Sequence, residues 1–126
     1  VDIGELHITG LTLEDSANPK LVVKPSDKFH IVVGHRPDFA LSAHMSAELL
    51  VAGHTHGGQV RLPFIGPLIT FSEVPRSWAA GVTQLQENKI LSVSRGIGME
   101  RDLAPRLRFL CRPQIVVIDL IPAVVE

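Results

Sequence analysis

Two compact apolar runs, residues 29–34 (FHIVVG) and 49–53 (LLVAG), end alike: each closes on a glycine followed at once by a histidine. Both are too short for a buried helix, and their β-branched and aliphatic residues suit strands covered on both faces. Between them Pro37 is followed by Asp38, a residue placed to cap a short helix over residues 39–45. Strand, short helix and strand make a βαβ unit, which implies parallel strands joined by a right-handed crossover.

The rest of the chain fits around that unit. Residues 6–13 read as a strand whose alternation shifts at Gly10, as a bulge would shift it. Residues 14–28 are polar, carry Pro19 and Pro25, and read as a turn-rich connection with a short extra element at 20–24. Residues 57–75 are rich in Gly and Pro and suggest an irregular excursion. Residues 81–85 and 89–94 flank a turn at Glu87-Asn88 and read as an antiparallel hairpin. Residues 114–121 (QIVVIDLI) are apolar on both faces except at Asp119 and are expected to form a late, mostly buried strand. The fold class is therefore α/β with a mixed sheet.

Composition narrows the function classes. At 126 residues, with 45% hydrophobic and 20% charged side chains, the chain has the makeup of one globular domain rather than a disordered one. A net charge of -1 and an aromatic content of 5% with no tyrosine argue against a nucleic-acid platform. The single cysteine, Cys111, leaves no intramolecular disulfide to form, and it reads with Trp78 as a packing residue. The most apolar stretch, residues 115–125, is broken by Asp119 and Pro122 and falls short of a membrane span. The chain starts at Val1, and its only methionines are Met45 and Met99, so a processed chain or a fragment is expected.

Chemistry concentrates at the strand ends. Ligands of parallel α/β sheets bind beyond the carboxyl ends of the strands. Neighbouring strands about 4.8 Å apart would bring His35 and His54 to one rim. His56 follows two residues later in His54-Thr55-His56-Gly57-Gly58, where the glycines permit a sharp turn around an ion or a phosphate. Neutral imidazole is a ligand of first choice for zinc and other first-row divalent metals, so three converging imidazoles point to a metal site. His7, His30 and His44 stand apart from this pattern and read as structural or solvent-facing.

These residues carry a family resemblance. Gly53-His54-Thr55-His56-Gly57-Gly58-Gln59 resembles the Gly-His-x-His signature of calcineurin-like metallophosphoesterases, in the extended form of a bacterial, often membrane-associated branch. His35-Arg36-Pro37-Asp38 is similar to the branch's His-x-Pro-Asp segment. Val93-Ser94-Arg95-Gly96-Ile97-Gly98 and Arg108-Phe109-Leu110-Cys111-Arg112-Pro113 resemble its closing segments. The resemblance implies the C-terminal part of a four-layer α/β/β/α sandwich, one partial domain over residues 1–126. It also implies a hydrolase for phosphomonoesters, phosphodiesters or pyrophosphates. Two divalent ions of the Mn, Zn, Fe, Ni or Mg type would serve the complete domain, His35 and His54 binding one and His56 the other. Gly57, Gly58, Gln59 and Arg95 would act on substrate or support the ligands. No residue of this chain matches a catalytic group beyond the metal ligands.

The family's Asp-x-His, Gly-Asp-x-x-Asp and Gly-Asn-His motifs have no counterpart here. There is no Gly-Asp dipeptide, and Asn18 and Asn88 precede Pro19 and Lys89. Glu5-Leu6-His7 has the wrong acid. Three imidazoles suit one Zn²⁺ with an open position, so the chain alone is expected to hold one ion or none. Asp38 is the nearest spare carboxylate and reads as a helix cap. Arg95, Arg106, Arg108 and Arg112 form a basic cluster, read mainly as a solvated face, with Arg95 the best candidate for phosphate contact. The chain thus reads as the histidine-rich wall of a metallophosphoesterase site. The alternatives are a non-catalytic metal-binding or interaction scaffold of the same fold, and a mononuclear His₃ zinc hydrolase. An uncovered sheet face and edge predict a homo-oligomer or association with the missing N-terminal part. By analogy the substrate is a lipid- or nucleotide-linked phosphoester, in a cytoplasmic or membrane-peripheral setting.

Overall fold

A computed structural model of the chain describes residues 1–99 and 106–122. Strands β1 (Asp2–Ile3) and β2 (Leu6–Gly10) lead into one helical turn, α1 (Leu13–Ser16). β3 (Phe29–Val33) and β4 (Leu49–Ala52) follow, then the two-residue strands β5 (Arg61–Leu62) and β6 (Gly66–Pro67). β7 (Gly81–Gln86) and β8 (Lys89–Val93) complete the described elements. A six-stranded mixed sheet runs in the order β1-β2-β3-β4-β8-β7. β2, β3, β4 and β8 are parallel, while β1 and β7 are antiparallel to their neighbours.

β3 and β4 are adjacent and parallel, and β7 and β8 form the hairpin expected around Glu87-Asn88. The Gln84 side chain closes that turn by donating to the carbonyls of Gln86 and Glu87 at 2.5 and 3.2 Å. The first strand ends at Gly10 without continuing to residue 13. Thr12 takes over instead as the cap of α1, its hydroxyl accepting from the Asp15 N–H at 3.0 Å. Within residues 20–24 the structure contains only a bridge between Val23 and Met45.

The crossover helix expected over residues 39–45 shrinks to a 3-10 turn, Asp38–Leu41. Ala40 and Ser42 donate to the carbonyls of Pro37 and Phe39 at 2.9 and 3.2 Å. The chain then turns extended at Ser42, whose hydroxyl bonds the Leu21 carbonyl at 2.6 Å. A tertiary bond thus outcompetes the next helical one. Phe39, fully buried, plugs the core among Val32, Leu50, Ala52, Leu91 and Val93 on one face of the sheet. Trp78 packs against this cluster, and Cys111 is also buried.

Residues 114–121 do not form the expected buried strand. Ile115, Val117 and Ile121 are 80%, 81% and 85% exposed. A strand needs a ladder partner, and among the described residues this segment pairs with neither edge strand of the sheet, β1 or β7. The segment instead passes over the far face, where Val116, Ile118 and Leu120 border an open apolar groove with Phe29, Leu49 and Ile90. The end of the apolar run, residues 123–125, lies outside the described residues.

Candidate functional site

The rim beyond β3 and β4 is built by continuing their ladder past the last strand residues. Gly34 donates to the Val51 carbonyl at 2.9 Å, and Gly53 donates to the His35 carbonyl at 3.1 Å. This pairing places His35 beside His54, with Nε2 of His35 3.0 Å from Nδ1 of His54 and the rings edge to face at 4.9 Å. The two small residues serve different ends. A Cβ on Gly34 would sit 2.6 Å from the Phe39 ring, whereas one on Gly53 would meet nothing closer than 4.0 Å. Gly34 is therefore a packing requirement of the core, and Gly53 is not a point of close approach.

His54 has φ 64, in the left-handed region that side chains avoid, and so do His56 at φ 47 and Gln59 at φ 48. Such strain persists only where the surroundings hold it. The Thr55 hydroxyl donates to the Ala79 carbonyl at 2.6 Å and accepts from the Gly57 N–H at 3.3 Å. Gly57 has φ 65, and a Cβ there would lie 2.7 Å from Cys111 Sγ and 2.9 Å from Arg95 Cγ. Gly58 has φ 81, and its Cβ would lie 2.3 Å from Pro67 Cβ. The sharp turn predicted at these glycines is present, and it is packed against Cys111, Arg95 and Pro67.

The His54 Nε2 faces the Phe71 carbonyl at 3.2 Å. Burial pushes the His54 imidazole below its ordinary pKa, with the Arg36 and His35 charges adding to the shift; the Phe71 carbonyl and Asp38 oppose it. The ring is thus held neutral, the form in which imidazole binds a metal. His56 does not join this pair. Its ring edge lies near Gly98, 3.6 Å from where a Cβ would be, and its carbonyl accepts from Arg108 and Cys111 Sγ. Among the described residues, no three His, Cys, Asp or Glu side chains are grouped to hold one ion.

The donor set present fits half of a metal site. Two imidazole nitrogens each about 2.1 Å from one ion stand roughly 3.0 Å apart at right angles and about 3.4 Å apart at the tetrahedral angle. The observed 3.0 Å separation falls within that span. A carbonyl behind the second nitrogen is the usual support of a ligating histidine.

Asp38 and Arg108 matter in ways their sequence context did not disclose. Asp38 does not cap a helix: Pro37 holds the capping position, with no side-chain bond. The Asp38 carboxylate is fully buried and accepts from Arg36 Nε, the Ser72 hydroxyl and the Glu73 N–H at 2.8, 2.7 and 2.5 Å. Arg108 is not part of a solvated face. Its guanidinium donates to the carbonyls of Arg95, Gly96, Gly98, His56 and Cys111, stitching the closing segments to the histidine turn. Arg95 lies with its stem over Gly57, and its Nε is buried without an acceptor among the described residues. Gln59 is buried, its carbonyl accepting from the Phe109 N–H at 2.9 Å. The Arg-x-Asp spacing after His35 was the available sign of the Arg36–Asp38 pair.

Comparison with known proteins adds a second, independent observation. The chain is similar to YkuE of Bacillus subtilis, named an uncharacterized metallophosphoesterase, with 43% identity over 93 residues, 73% of this chain and 31% of that protein. It is similar to the phosphodiesterase YaeI of Escherichia coli, with 33% identity over 92 residues, 72% of this chain and 32% of that protein. A Campylobacter jejuni protein, the uncharacterized metallophosphoesterase Cj0846, is 33% identical over 112 residues, 88% of this chain and 28% of that protein. The chain thus spans about a third of the length of these relatives. No family model and no solved structure matches it.

Proposed function

Because the chain belongs to the metallophosphoesterase family, we propose that it supplies the histidine-bearing wall of a metal-dependent phosphoesterase site. The supporting observation is the His35–His54 pair, two imidazole nitrogens 3.0 Å apart at the ends of adjacent parallel strands. His35 and His54 hold one divalent ion and His56 a second, each completed by carboxylates from outside this chain, within the four-layer sandwich of a whole domain. Bound there, the ions would neutralise a phosphate ester and acidify water for in-line attack on phosphorus. The neutral His54 ring offers its Nδ1 lone pair. Gly57 and Gly58 keep the turn tight enough for a phosphate to approach the backbone, and Arg95, its stem packed over Gly57, is the cationic residue beside that turn for phosphate contact. Gln59 secures the turn. The name of the Escherichia coli relative favours a phosphodiester among the possible substrates.

The scaffold reading draws on one observation, the absence of a third ligand among the described residues. Metal titration separates the two. Calorimetry with Zn²⁺ or Mn²⁺ should show weak binding of no more than one ion by this chain, with slow turnover of bis(4-nitrophenyl) phosphate. His54→Ala should remove the binding. Two tightly held ions and brisk hydrolysis would overturn the division of ligands, and wild-type affinity in His54→Ala would leave the scaffold reading standing.

A further inference from the structure

We propose that Asp38, together with Arg36, is a positioning residue for His54, acting through the carbonyl of Phe71. This rests on the reading of His35 and His54 as a metal-binding pair. A carbonyl has no proton to give, so the 3.2 Å contact from His54 Nε2 requires the hydrogen to be on that nitrogen. The Nδ1 lone pair is then left facing His35 Nε2. Whatever fixes the Phe71 carbonyl therefore fixes which nitrogen of His54 is available to a cation.

That carbonyl does not hold itself in place. Phe71 has φ 51, a conformation that an ordinary residue leaves unless its neighbours are tied down. The ties come from one source. Arg36 Nη2 donates to the Phe71 carbonyl at 2.6 Å, and Asp38 takes the Ser72 hydroxyl and the Glu73 N–H on its Oδ1. Oδ2 of Asp38 takes Arg36 Nε at 2.8 Å, orienting the guanidinium that reaches Phe71. A fully buried carboxylate is costly unless it is saturated with donors. All of its recorded donors belong to Arg36 and to the two residues after Phe71. Since Arg36 and Asp38 directly follow His35, one four-residue segment presents the first imidazole and sets the tautomer of the second.

Nuclear magnetic resonance of the His54 ring tests this without any metal. In the wild-type chain at pH 8, His54 should show one tautomer, with an Nε2–H proton slowed in exchange by the Phe71 carbonyl. Asp38→Ala should lose that slow proton and give averaged ring-nitrogen shifts. Its Zn²⁺ affinity should fall about 10- to 100-fold, as for other lost supports of a ligand. Asp38→Asn keeps an acceptor for Ser72 and Glu73 and should recover most of the proton signal. Should Asp38→Ala lose its folded spectrum, Arg36→Gln and Ser72→Ala carry the same test from the partners' side. An unchanged His54 signal in the folded variants would overturn the proposal, whether or not affinity falls. Loss of that signal in a chain whose wild type binds no Zn²⁺ would uphold the positioning and show that His35 and His54 hold no ion without the carboxylates from outside this chain.

Discussion

At the start of β2 and β3, His7 and His30 meet edge to face with ring centres 4.6 Å apart; beyond the ends of β3 and β4, His35 and His54 do the same at 4.9 Å. The difference lies in where the nitrogens point. His30, 2% exposed, donates from Nδ1 to the Ser46 carbonyl at 3.0 Å and accepts the Thr9 hydroxyl on Nε2 at 2.8 Å. His7 turns Nδ1 to the Asp2 carboxylate at 2.5 Å. In the second pair the nitrogens face each other, and only His54 Nε2 is drawn off by a carbonyl. Nearness of two imidazoles therefore says little about metal binding. The direction of their lone pairs decides it.

The largest effect that would sharpen this contrast is on stability. His30→Ala should cost about 2–4 kcal/mol, from a lost buried ring and two abandoned polar partners, read as a lower urea midpoint. The folded fraction should still bind Zn²⁺ as the wild type does; lost affinity would mean that the two pairs are not independent. A smaller effect follows from pH. Burial pushes the His30 imidazole below its ordinary range, with the His7 charge acting the same way. Below about pH 6.5 the unfolded chain binds the proton more readily than the folded one. Stability should therefore fall as pH drops through that value, and less steeply in His30→Gln; parallel curves would remove His30 from the account. The smallest effect is expected for His7→Ala. Its pair with Asp2 is exposed, so the unfolding midpoint should barely move.

The two strands that frame the site were legible because their signal is local. Residues 29–34 and 49–53 are continuous apolar runs, and each terminal histidine needs only the strand end to place it. The role of Asp38 was hidden because its partners, Ser72 and Glu73, are distant in sequence, and a carboxylate after proline looks the same whether it caps a helix or ties down a loop. Arg108 looked like surface charge because its acceptors are backbone carbonyls, which leave no mark in a sequence. Residues 114–121 carried a true strand pattern. A pattern cannot supply a partner, and the segment pairs with neither edge strand of the described sheet.

The bonds that carry the ladder past β3 and β4 have a thermodynamic consequence. The Gly53 N–H is the last rung, and its acceptor is the carbonyl of His35 itself. Fraying of that rung and separation of the two imidazoles are one event, so anything that holds the rings together also closes the zip. A cation bridging His35 and His54 would appear as slower amide exchange at Gly53. A ligand bound elsewhere on the loop would leave that amide unchanged.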